Sequence, residues 1–169
     1  MLNVISELFP LQTTVKNYKI IIININSCEG IMVKIYSIST IRKKVREYGK
    51  KISAPTHLLT VLSSSDGFGA PHIEIDENGY NYVVSERGTE FERKQTKDIN
   101  LILYWIFKPI IFRMASDYEL ENRKPNEDSR RQLFAKLLKL MEQLDSNFAK
   151  WEKEELDKFL EKAPYEYNL

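Results

Sequence analysis

The chain has 169 residues, 43% hydrophobic and 29% charged, with six glycines and six prolines, a composition that builds one globular domain and excludes a disordered or fibrous chain. A formal net charge of +1 and a pI of about 7.7 exclude a global field that would recruit nucleic acid or anionic lipid. The single cysteine, Cys28, excludes an internal disulfide and a cysteine-based zinc site, and it fits a reducing, cytoplasmic setting.

In chain order, Lys19-Ile20-Ile21-Ile22-Ile23-Asn24-Ile25 is apolar but far shorter than the ~20 residues a membrane span needs. No small-residue cleavage site follows it, so neither a membrane anchor nor a secretory signal is expected. Two readings stay open: a buried or edge strand, or an extension upstream of the biological start. Glu29-Gly30-Ile31-Met32 is encoded as GAR-GGN-ATH-ATG, and a purine-rich stretch just before ATG resembles a bacterial ribosome-binding site. Met32 is the expected start. Residues 1–31 are then an N-terminal extension, and 32–169 form one domain.

Ser39 is the expected cap of a first helix reaching about Lys51, with Ile38, Ile41, Val45, Tyr48 and Ile52 as its buried stripe. Lys34, Arg42, Lys43, Lys44, Arg46, Lys50 and Lys51 face only Glu47 in this region, whereas the chain after Asp117 leans acidic. The basic run reads as a solvated helix face. Its alternative is a nucleic-acid-binding regulator that uses Arg42 to Lys51, and an uneven surface suits a protein partner equally well. His57 to Leu62 reads as a short buried strand, followed by a loop from Ser63 to Pro71.

From His72 onward the pattern sharpens. Ile73 and Ile75 alternate with His72, Glu74 and Asp76, and Asp76-Glu77-Asn78-Gly79 is a turn closed by an Asn-Gly pair. Tyr80 to Val84 alternates again, with Tyr80, Tyr82 and Val84 on one face and Asn81, Val83 and Ser85 on the other. Glu86-Arg87-Gly88 is a tight connection into a third strand, Thr89 to Thr96. At Asp98 the period changes to helical. Ile99, Ile102, Leu103, Trp105, Ile106, Phe107, Ile110, Ile111 and Met114 wrap more than half the circumference, which marks a central helix. Pro109 should break or kink it near Trp105 to Lys108. A third helix enters through Asn126 or Asp128 and carries Leu133, Phe134, Leu137, Leu138, Leu140, Met141 and Leu144. A last helix carries Phe148, Trp151, Leu156, Phe159 and Leu160 and stops at Pro164. The expected fold is α+β: an antiparallel meander of about three strands packed on three to four helices.

Reactive groups are not organised for chemistry. His57 and His72 are the only histidines, neither has a carboxylate at helical ligand spacing, and no metal or cofactor is expected. Ser63, Ser64 and Ser65 near Asp66 and His72 lack a nucleophile elbow, and Gly67-Phe68-Gly69 lacks the context of a dinucleotide fingerprint. Glu74, Asp76 and Glu77 read as solvent-facing rather than as an acid–base pair. Tyr80, Tyr82, Tyr104, Trp105 and Tyr118 read as core or core-rim aromatics, although tyrosines on a sheet also serve as interface anchors. An enzyme is not expected.

The run Ile73 to Gly88, IEIDENGYNYVVSERG, resembles the hairpin of the bacterial immunity protein 63 family. The likeness continues through Thr96-Lys97-Asp98, Tyr104-Trp105-Ile106-Phe107, Met114-Ala115-Ser116-Asp117-Tyr118-Glu119-Leu120 and Asp128-Ser129-Arg130-Arg131, covering roughly residues 40–163. Pro109 departs from it, since a helix-compatible residue is expected there. The resemblance implies a small cytoplasmic protein that binds a cognate toxin domain of a polymorphic toxin system and blocks it. Toxin domains that attack nucleic acid tend to be basic, so carboxylates and aromatics are the expected contacts. These are Glu74, Asp76, Glu77, Tyr80 and Tyr82 on the hairpin, and Asp117, Tyr118 and Glu119 at the helix end. Arg87 and Arg123 are expected to tie the hairpin to the helices by ion pairs.

Overall fold

The computed structural model describes residues 34–166; the expectations for the apolar run at 19–25 and for the Met32 start lie outside the described residues. In order come α1 (Ile38–Lys51), a 3-10 turn (Thr56–Leu59), β1 (His72–Asp76), β2 (Gly79–Glu86), β3 (Thr89–Thr96), α2 (Ile99–Glu121), α3 (Ser129–Leu144) and α4 (Ser146–Lys162). The sheet is a three-stranded antiparallel meander in the order β1-β2-β3. This is the α+β arrangement that the patterning predicts.

Helix α1 begins two residues earlier than expected. Ser37, in extended conformation, accepts from the Thr40 N–H at 3.4 Å, and Ser39 lies inside the first turn. Ile41 and Val45 are fully buried and Ile52 nearly so. Gly49 lets the next segment close on the helix, since a Cβ there would meet a Leu59 methyl at 2.5 Å. The strand expected over His57 to Leu62 does not form. Pro55 opens a 3-10 turn instead, and only Leu62 pairs with His72, as a single parallel bridge. The Val61 carbonyl, which a ladder would need, already accepts from Arg42 Nε at 2.9 Å.

Both hairpin turns are two residues long. The first is the expected Asp76-Glu77-Asn78-Gly79 turn, with Glu77 and Asn78 at its centre and Asp76 paired with Gly79. Gly79 takes φ 122°, and a Cβ on it would lie 2.5 Å from the Thr96 carbonyl of β3. Only glycine fits there. The second turn has φ of 50° at Arg87 and 82° at Gly88, the positive values that match strand twist in a tight hairpin. A bulge opposite Val84 and Ser85 leaves Phe91 out of the register.

Helix α2 is long and apolar enough to cross a membrane by length and composition, and here that apolarity enters the core. Ile102, Leu103, Tyr104, Ile106, Phe107, Ile110, Ile111 and Ala115 are all buried. Asp98 caps it, accepting from Asn100 N–H at 2.8 Å. Pro109, where a break or kink is expected, does not break the helix, which is continuous from Ile99 to Glu121. An interior proline costs about 3 kcal/mol, whereas each buried large apolar side chain returns about 1.5–3 kcal/mol. The packed residues on both sides of Pro109 therefore hold the helix together. Asp128, one of two expected entries, caps α3 through the Arg130 N–H at 3.0 Å. Asp145 caps α4, which ends at Lys162, two residues before Pro164.

Candidate functional site

The sheet presents two different faces. Register places Ile73 beside Tyr82 and Lys94 on the face toward α2, and His72 beside Val83 and Arg93 on the outer one. Outside, Arg93 binds Glu74 at 2.8 Å and Glu90 at 2.7 and 2.9 Å. Asn81 donates to Asp76 at 2.9 Å and accepts from Gln95 at 3.1 Å. The Arg93 guanidinium holds the Glu74 and Glu90 carboxyls below their ordinary range. His72 is buried, with Nε2 3.4 Å from Glu74 and Nδ1 without a hydrogen-bond partner among the described residues.

The expected contact residues divide sharply. Glu74, Asp76 and Glu77 are exposed, but Asp76 also accepts from the Asn78 N–H at 2.7 Å and so shapes the turn. Tyr80 and Tyr82 are 0% and 7% exposed, which corrects their placement as surface anchors. They share the inner face with Ile73 and Ile75, and α2 covers that face. The Tyr80 hydroxyl accepts from the Tyr36 N–H at 2.7 Å. At the helix end, Asp117 pairs with Arg113 at 3.1 Å, and Tyr118 is half-exposed beneath Lys136, whose Nζ is 4.3 Å from the ring centre. Glu119 is buried and takes both Arg123 hydrogen bonds, at 2.8 and 2.9 Å. Successive helical residues point about 100° apart, so these three do not share one surface. Arg87 pairs with its neighbour Glu86 at 3.6 Å and Arg123 with Glu119. The structure thus overturns the expectation that these arginines join hairpin to helices by ion pairs.

Several polar groups singled out in the sequence organise loops and termini. Asp66 accepts from the Phe68 N–H at 2.8 Å, and the Ser65 hydroxyl lies 2.9 Å from that of Ser85. On α1, Arg42 holds the Val61 carbonyl, Lys43 lies 3.9 Å from Glu47, and Lys51 reaches the Leu144 carbonyl at 3.5 Å. Part of the basic run is therefore committed to structure. Among the described residues no group of three or more His, Cys, Asp or Glu side chains is placed to hold a metal ion.

A groove of about 380 Å³ opens where β2 and β3 meet α2 and α4. Tyr82, Glu92, Lys94, Trp105, Lys108, Pro109, Phe112 and Glu152 line it. Trp105, Pro109 and Phe112 are spaced by four and three residues and share one side of α2. Trp105 meets Tyr82 edge-on at 6.3 Å. Lys94 Nζ stands 5.9 Å from both ring centres and 2.6 Å from a Glu92 oxygen. At the α4 wall, buried Glu152 accepts from the Tyr104 hydroxyl at 2.7 Å and lies 3.6 Å from Lys108, which also pairs with Glu155. Burial, with Glu92 adding to it, pushes the Tyr82 hydroxyl up to about 12. Burial and the Glu152 hydrogen bond likewise hold the Tyr104 hydroxyl far above the ordinary tyrosine value. A smaller hollow of about 210 Å³ shares Tyr82 and Pro109 but is otherwise mostly aliphatic, with Val61, Ile73, Ile106 and Ile110. The helical spacing at Pro109 was the one signal of the groove within the sequence; the arrival of Glu92, Lys94 and Glu152 depends on tertiary packing.

A family model described as Immunity protein 63 matches residues 76–158. No curated protein and no solved structure matches the chain. The matched span lies within the 40–163 marked by the motifs and runs from the end of β1 into α4. It contains every residue that lines the larger groove.

Proposed function

The chain belongs to the immunity protein 63 family through residues 76–158, and from that premise we propose that it neutralises a cognate bacterial toxin domain by steric and electrostatic blocking. The family match is the observation that carries this reading, because it spans the β2–β3 hairpin, α2, α3 and most of α4. The exposed surface agrees with it. Glu74 and Glu77 are exposed on one hairpin, and Glu90 and Glu92 are partly exposed on β3. Acidic groups so placed would steer a basic partner onto the domain and raise the rate of encounter. Blocking by occupation needs no chemistry on the toxin, and we place the encounter in the cytoplasm.

Co-expression with the toxin domain encoded beside the gene tests the proposal. The expected result is rescued growth and a complex that survives co-purification. Continued killing, with no complex recovered, would overturn it.

A further inference from the structure

We propose that the larger groove receives a basic side chain of the toxin, an arginine in preference to a lysine, stacked on Trp105 and Phe112 and paired with Glu92. The toxin as source rests on the function proposed above; the groove's chemistry rests on its own geometry. The chain already places a cation in this space. Lys94 Nζ is 5.9 Å from the centres of both Tyr82 and Trp105 and 2.6 Å from Glu92. Aromatic faces and a carboxylate thus converge on one point, as a cationic head requires.

Lys94 is replaceable. Its side chain is 44% exposed on β3, and an exposed ion pair of this kind contributes about 0–1 kcal/mol. An incoming guanidinium gains more, since its planar fork matches a carboxylate with two hydrogen bonds and stacks on rings. Once Lys94 swings out, the groove holds Glu92 and Glu152 against Lys108 alone and favours a cation. Phe112 remains 49% exposed on its wall, an apolar surface that a guanidinium stem would cover. A volume of about 380 Å³ holds a side chain and not a folded element. The neighbouring hollow offers no charged group among its lining residues.

Two arms test this on the full chain. In the first, N-acetyl-arginine amide is titrated while the indole N–H resonances of the two tryptophans are followed by NMR. The expected result is a saturable shift of Trp105 that N-acetyl-glutamine amide does not produce and Glu92→Gln removes, with Trp151 unmoved. No Trp105 shift, or an equal shift in Glu92→Gln, would overturn the site. In the second arm, Glu92→Lys and Phe112→Ala are compared with wild type for binding the toxin domain encoded beside the gene. Each should weaken binding at least about tenfold, as expected for losing part of a desolvated contact, with the thermal midpoint nearly kept. Wild-type affinity in both variants would overturn the groove as a contact while leaving the immunity reading intact. Failure of the wild type to bind that toxin, with the arginine probe still seated, would overturn the immunity reading instead.

Discussion

The two faces of β2 are equally hidden and built in opposite ways. Tyr80 and Tyr82 point inward, Asn81 and Val83 outward, and all four are buried. The inner pair is covered by residues far away in sequence: Tyr82 meets Trp105 of α2, and Tyr80 is reached by Tyr36 ahead of α1. Neighbouring strands dominate the outer face, through the Asp76–Asn81–Gln95 chain and the Arg93 fork onto Glu74 and Glu90. Inside, stability comes from apolar area and ring packing. Outside, it comes from polar groups that satisfy one another at the edge of water, where each bond is worth little. Burial alone therefore does not say what a residue contributes. The inner face is held by apolar packing, and the outer face by a network of polar side chains.

The largest effect should separate the faces directly. Tyr82→Ala should lower unfolding stability by about 3 kcal/mol, as large aromatic truncations in cores do. Asn81→Ala should cost about 1 kcal/mol, because Asp76 and Gln95 turn to solvent when their partner is lost. Urea unfolding of the two variants gives the comparison. Equal costs would show that the outer chain is a second structural core.

Acid should expose the outer face next. Glu74 and Glu90 through Arg93, Glu119 through Arg123 and Asp128 through Arg130 all have carboxyls depressed by hydrogen bonds to arginine. A group depressed in the folded state stabilises above its unfolded value, near ~4 for a carboxylate, and that stabilisation is lost as pH falls through the folded value. Urea midpoints should thus hold steady from neutral pH to about 5 and fall below about 4. Glu74→Gln with Glu90→Gln should flatten part of that fall and leave the share due to Asp128 and Glu119. An unchanged slope would mean that the outer fork contributes nothing.

The smallest structural effect belongs to the hairpin tip. Glu77→Lys should change stability by no more than about 0.5 kcal/mol, as exposed surface substitutions do. It should nevertheless slow association with a basic toxin, since rim charges act on the rate of encounter. Asp76 does not give so clean a test, because it holds the Asn78 N–H and Asn81. A stopped-flow on-rate equal to wild type would place the contact away from the tip.

What the sequence determined by itself is the local part of this protein. Period-two alternation specified the meander and the change at Asp98 specified α2; Asp98 marked one helix start and Asp128 was one of two candidates for another, because a capping carboxylate needs only the N–H groups just after it. The motifs from Ile73 to Arg131 pointed to the family for the same reason: they are contiguous. Tertiary structure decided what contiguous patterns cannot encode. Pro109 reads as a break or kink because proline lacks an N–H, yet packing on both sides of it keeps α2 unbroken. Tyr80, Tyr82 and Glu119 read as contacts by residue type, but α2 and Arg123 take them out of reach. The groove unites Glu92 and Lys94 of β3, Trp105 and Phe112 of α2, and Glu152 of α4. Their meeting is set by how helices seat on a sheet, a choice made by summed apolar burial over the whole domain rather than by any short run of residues.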